Sequence, residues 1–176
     1  MKTIKKKFLK NNIDSEYDHL FAELLQIAFP QGCLDLITYI VSELFTNIKE
    51  HSYAKKVHAE LKINKSDFFL LVEDNGIGIR NSFLKNDIFA KNDRTAIQLA
   101  VGGLSAKKKN ERAFGLYSIH SLAEQTGGKM ILETGNSKSV FLKNKVEFIS
   151  LKKKLKGLKV SIQMYLKKIS IYNYIQ

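Results

Sequence analysis

The chain is poor in the residues that staple or punctuate a fold: one cysteine, one proline and no tryptophan occur in 176 residues. The lone Cys33 excludes an intramolecular disulfide framework, and without histidine or cysteine companions at ligand spacing it does not mark a metal site. No apolar run is long enough to span a bilayer, and the amino terminus MKTIKKKFLKNN lacks the uninterrupted apolar stretch of a signal peptide, so a cytoplasmic protein with no membrane partner is expected. Acidic residues are also scarce, 17 against 29 Lys and Arg, which leaves a net charge of +12. An excess of that size raises nucleic acid as a partner. Here it is carried by lysines, as at Lys5, Lys6 and Lys7, Lys107, Lys108 and Lys109, and Lys152, Lys153 and Lys154, with few arginines and little aromatic interleaving. A solvated lysine surface is the expectation, and a basic groove, if formed, would favour polyanions in general.

What is present in strength is helical and strand periodicity enough for a single domain over residues 1–176. Residues 1–13 read as a basic arm or edge strand. Asp14 or Ser15 can cap a helix over residues 16–28, which Pro30 and Gly32 break. Over residues 34–53 the apolar side chains Leu36, Ile37, Ile40, Val41, Leu44, Phe45 and Ile48 recur at helical spacing and define an inward face. Glu43, Asn47 and His51 fall on or beside that face, at i, i+4 and i+8, while Ser42, Thr46, Lys49 and Glu50 fill the outward arc. A carboxylate, an amide and an imidazole turned toward a core each cost free energy unless something satisfies them. They can pair with one another, with buried backbone or with water, and three in register point toward a polar ligand or a metal.

The next segments are β-like. Val57, Ala59, Leu61 and Ile63 alternate with polar residues, and residues 64–66 turn this strand into a second one over 67–73, an antiparallel hairpin. The second strand ends in VEDNGIGI, where Gly76 and Gly78 let the backbone turn sharply and approach a ligand without obstruction by Cβ. From residue 80 to 112 the pattern weakens around a short helix near 93–100, as a mobile lid or a plain surface loop would. Gly102, Gly103, Ser105 and Lys107 then precede Gly115 at the head of a further helix, an arrangement that favours phosphate or makes an ordinary turn. Residues 129–134, 139–142, 146–150 and 158–166 are candidate strands. The tail over residues 167–176 can pack on the sheet, fray or bind a partner.

SELFTNIKEHSYAK and VEDNGIGI resemble the N and G1 boxes of the GHKL ATPase and kinase superfamily, which includes gyrase, heat-shock chaperone, histidine kinase and mismatch-repair ATPase domains. Residues 100–128, AVGGLSAKKKNERAFGLYSIHSLAEQTGG, resemble its G2 box and ATP lid, with Ala113 and Phe114 where a further glycine is common. The likeness extends over residues 20–166, and Glu43, Asn47 and His51 followed by Ser52 and Tyr53 are most similar to the anti-sigma-factor serine kinases. It implies a two-layer α/β sandwich, the Bergerat fold, with helices covering one face of a mixed, largely antiparallel sheet, and a lid over residues 80–112.

By the same resemblance, ATP and Mg²⁺ are the implied ligands. Asp74 would accept a hydrogen bond from the adenine amino group, with Gly76, Ile77 and Gly78 close to the base. Asn47 would hold Mg²⁺, His51 would lie beside the nucleotide, Gly102, Gly103, Gly115 and Leu116 would cradle phosphate, and Lys107 would meet the γ-phosphate. Glu43 would be the general base. The implied activity is that of a signalling serine/threonine protein kinase acting on a STAS-like or anti-sigma-antagonist partner, or bound to a sigma factor, with a homodimer in keeping with the anti-sigma relatives. The alternative is a nucleotide-dependent binding switch or slow ATPase without a protein phosphoacceptor.

Overall fold

The computed structural model describes residues 1–104 and 115–170. Five strands, β1 (Lys2–Leu9), β2 (Lys56–Ile63), β3 (Asp67–Asp74), β4 (Lys129–Leu142) and β5 (Lys145–Tyr165), form one sheet in the order β1-β2-β3-β5-β4. Every pairing is antiparallel, so the parallel component implied by a mixed sheet is absent among the described residues. The five helices are α1 (Ile13–Leu24), α2 (Cys33–Asn47), α3 (Gly78–Leu84), α4 (Asp93–Val101) and α5 (Gly115–Gln125). The result is an α/β sandwich.

Strand alternation explains the layering. On β3, Phe68, Leu70, Val72 and Asp74 are buried, while Phe69, Leu71 and Glu73 between them are only half-buried. The inward row meets the stripe of α2, where Leu36, Ile37, Ile40, Val41, Leu44 and Phe45 are all buried in the same core. Burial of each such side chain is worth roughly 1.5–3 kcal/mol, so the periodic apolar residues decide which way α2 faces. β1 confirms an edge strand in place of a free arm, pairing with β2 from Lys2↔Ile63 to Leu9↔Lys56.

The boundaries differ from those read in the sequence in three places. The first helix ends at Leu24, short of residue 28, because the chain must turn through 25–32 before α2; Leu25 is exposed there while Ile27 and Phe29 fold back onto the core. Residues 80–101 are packed structure, with Phe83, Ala90, Ala96 and Ile97 buried around α3 and α4. The four short strands expected after residue 129 are one long hairpin, β4–β5, interrupted by register shifts between Thr134 and Ser137.

Candidate nucleotide site

α2 does not run on to Tyr53 as an α-helix. It widens after Asn47 into a π-helical turn, Ile48–Ser52, and Tyr53 closes it in the left-handed region at φ 53°. Widened turns of this kind occur often at functional sites. Here the extra residue delivers Ser52 to the turn after β3. The Ser52 carbonyl accepts the Ile77 N–H at 2.8 Å and abuts Gly76 so closely that a Cβ on Gly76 would overlap it. Asn75 ties the same junction from the other side, its Oδ1 accepting the N–H groups of Lys55 and Lys56, each at 2.9 Å. The two boxes are therefore one rigid unit. His51 lies within the π-helical turn, half-buried, with Nε2 3.5 Å from Glu50 Oε2.

Glu43 and Asn47 sit one turn apart on α2, both half-buried, and α5 begins on top of them. A Cβ on Gly115 would lie 2.7 Å from Glu43 Oε2 and 3.1 Å from Asn47 Nδ2, so any larger residue there would push these side-chain ends aside. The amino-terminal end of a helix carries positive potential, which favours a carboxylate and an amide beside it. Asn47 Nδ2 is buried with no hydrogen-bond partner among the described residues. An amide can be turned about its last bond to exchange N for O, so the group suits a ligand or a hydrated Mg²⁺ as an oxygen donor. Tyr39, a turn before Glu43, is also turned inward: burial raises its phenol, the Ser118 hydroxyl is its hydrogen-bond partner, and the charge of Glu43 raises it further.

Asp74 ends β3 only 4% exposed. Burial pushes its carboxyl up to about 6, against the pull of hydrogen bonds from the N–H groups of Gly76 and Leu158. The Gly76 bond is 2.7 Å. The surroundings of Asp74 were invisible to motif reading. Gly157, at φ +86° in β5, brings its backbone against the Asp74 carbonyl, and a Cβ would overlap that oxygen. Thr134, 1% exposed on β4, donates its hydroxyl to the Gly157 carbonyl at 2.8 Å and faces Gly78. An isolated glycine inside a strand pattern was the available signal for such a close backbone approach.

Gly102 and Gly103 terminate α4. The Leu104 N–H bonds to Leu99 O at 2.9 Å and the Gly103 N–H to Ala100 O at 3.4 Å, a Schellman ending with Gly103 at φ +92°. Leu116 packs partly on the core. Lys107 lies outside the described residues. Glu43, Asn47 and Gly115 thus converge at one place, while Asp74, Gly76 and Gly78 meet Gly157 and Thr134 at another, joined through Ser52.

Residues 33–163 match the family described as histidine kinase-, DNA gyrase B-, and HSP90-like ATPase. The chain belongs to this family. No curated protein matches the chain in a direct search. GHKL ATPase domains bind ATP, usually with Mg²⁺, and the match supports an ATP-binding regulatory function for the chain. Among the described residues no helix is long and apolar enough to cross a membrane.

Proposed function

We propose that the protein is a cytoplasmic, ATP-dependent serine/threonine protein kinase of the anti-sigma type, acting on a protein partner of the STAS or anti-sigma-antagonist class. The observation that carries this reading is the Glu43 carboxylate against Gly115 on α5 and beside the Asn47 amide, whose Nδ2 has no hydrogen-bond partner among the described residues. A carboxylate there can take the proton of an attacking hydroxyl, as a general base positioned at a phosphoryl-transfer site does. A pure binding switch has no need of that group. Bound Mg²⁺ would neutralise phosphate charge and orient the transferred group, and Asn47 is the residue suited to hold it. Asp74, kept dry and within reach of the Gly76 backbone, is suited to reading the adenine amino group.

The test is an ATP titration with and without Mg²⁺ on wild type, Asp74→Asn and Glu43→Ala, followed in the same samples by phosphate release and by phosphoserine and phosphothreonine analysis of added STAS-type proteins. Binding with little free phosphate and a labelled serine or threonine supports the kinase. Steady phosphate release without labelled protein selects the slow ATPase. Glu43→Ala is expected to bind ATP and lose at least about a hundredfold in turnover, the usual weight of a general base; undiminished transfer in that variant removes Glu43 from the chemistry.

A further inference from the structure

Beyond Gly135 the β4–β5 hairpin leaves the sheet: β3 pairs with β5 only from Glu73↔Lys159 onward, and the stretch from Ser137↔Ser150 to Leu142↔Lys145 is a two-stranded ribbon. At its base Gly135 opposes Leu155 and Ser137 opposes Ser150, so residues 151–154 bulge out across from Asn136 alone. Residues 135–157 contain seven lysines and one glutamate, which concentrates +6 of the chain's +12 in this one element. Lys145 pairs with Glu147 at 2.6 Å and Lys138 with Glu133 at 3.8 Å. Lys143, Lys152, Lys153, Lys154 and Lys156 are exposed, with no carboxylate in ion-pair range among the described residues.

The ribbon is not a loose flap. The Asn136 N–H donates to Asp93 Oδ2 at 3.0 Å, and the Arg94 guanidinium lies 3.9 Å from the centre of the Phe148 ring, both at the start of α4. On α5, the His120 ring meets Phe141 edge-on at 4.9 Å and Glu124 accepts the Asn144 N–H at 3.4 Å. Ser139, Val140 and Phe141 are buried by this packing. A charged surface held rigid in this way loses little freedom when it binds.

We propose that this ribbon is a docking arm for an acidic protein segment that also carries apolar side chains. The lysines supply the charge complement. Val146 and Ile149, 44% and 45% exposed on the same ribbon, supply aliphatic contact. Nucleic acid fits less well, because the ribbon has no arginine and its two aromatic rings, Phe141 and Phe148, are engaged by His120 and Arg94 and so are not free to stack on bases. The proposal holds whichever group receives phosphate at the nucleotide site.

The experiment uses the full chain and three labelled probes: a peptide alternating glutamate with valine, oligo-glutamate, and single-stranded DNA. The ribbon variant combines Lys152→Gln, Lys153→Gln, Lys154→Gln and Lys156→Gln. A control with the same loss of charge combines Lys7→Gln, Lys55→Gln, Lys56→Gln and Lys65→Gln. Circular dichroism and thermal midpoints check that both fold. The expected result is the tightest binding to the Glu/Val peptide, weakened about tenfold or more in the ribbon variant, the scale of several exposed ion pairs acting together, and less than about twofold in the control. Val146→Ser with Ile149→Ser should weaken the Glu/Val peptide and leave oligo-glutamate unchanged. Equal losses in the two lysine variants would overturn the proposal in favour of net charge alone. Tighter binding of DNA, lost in the ribbon variant, would overturn it in favour of nucleic acid. Absence of binding to every probe would leave the lysines and bulge as guards of an exposed strand edge, and would equally overturn it.

Discussion

Asp74 carries a cost in the free protein, and the proposed role in reading adenine gives that cost a purpose. Its carboxyl ordinarily titrates at 3.8, and burial holds it near 6 in the folded chain. Between those values the folded state binds more protons than the unfolded state, so stability falls as pH rises. The contribution is fully present below 3.8 and is lost as pH passes through about 6. At neutral pH the ionised, buried group costs about 3 kcal/mol. Asp74→Asn is therefore expected to unfold at a higher temperature than wild type at pH 7, to lose that advantage near pH 4, and to bind ATP more weakly at pH 7, where the wild-type carboxylate is ionised. Thermal midpoints across pH together with an ATP titration check this. A variant with unchanged ATP affinity would refute the pocket assignment. Stability given up at a site for the sake of function is a recurrent pattern in proteins.

At the scale of elements, two glycines hold the site together by what they leave out. Gly115→Ala would put a methyl 2.7 Å from Glu43 Oε2 at the head of α5. We expect a folded protein in which Glu43 is displaced and turnover falls about tenfold or more, since misplacement of a reacting group by about 1 Å is costly. Phosphate release at saturating ATP is the measurement, and unaltered turnover would show that the helix start does not position the base. Gly157→Ala acts differently, because β5 needs φ +86° there and the added methyl would overlap the Asp74 carbonyl. That combination should cost roughly 1–3 kcal/mol of stability and weaken ATP binding with it. Urea unfolding and nucleotide titration of the same variant read both effects, and loss of stability alone would separate Gly157 from the pocket.

For the whole molecule, the strand order matters more than any one residue. Because β5 lies between β3 and β4, Gly157 meets Asp74 on one side while its carbonyl receives the Thr134 hydroxyl on the other. α2 and α5, both resting on this sheet, bring Glu43 and Asn47 under Gly115. A ligand spanning these groups would brace three strands and two helices at once. ATP with Mg²⁺ at a hundredfold excess over its dissociation constant should therefore stabilise the fold by about 2.7 kcal/mol. The rise in thermal midpoint should disappear in Asp74→Asn at the same ATP concentration. A persistent rise would locate ATP elsewhere on the molecule.

Local pattern by itself determined the β2–β3 hairpin, the apolar face of α2 and the inward polar stripe on it. Alternation on residues 57–63 and 67–73 specified the β2–β3 hairpin, and the apolar period on α2 specified which face it buries, because side-chain direction follows directly from backbone period. For the same reason Glu43, Asn47 and the turn glycines were legible in the sequence as a candidate site, and the structure brings Glu43 and Asn47 against Gly115. The tertiary structure alone decided that α2 widens at Ile48–Ser52, that Gly102 and Gly103 close a helix, and that Thr134 and Gly157 wall in Asp74. It also decided that the strands after residue 129 are one hairpin whose far half is latched to α4 and α5. These features depend on contacts between residues such as Asp74 and Gly157 that are distant in sequence. Local periodicity has no means of encoding such a meeting, which is settled only when the whole sheet assembles.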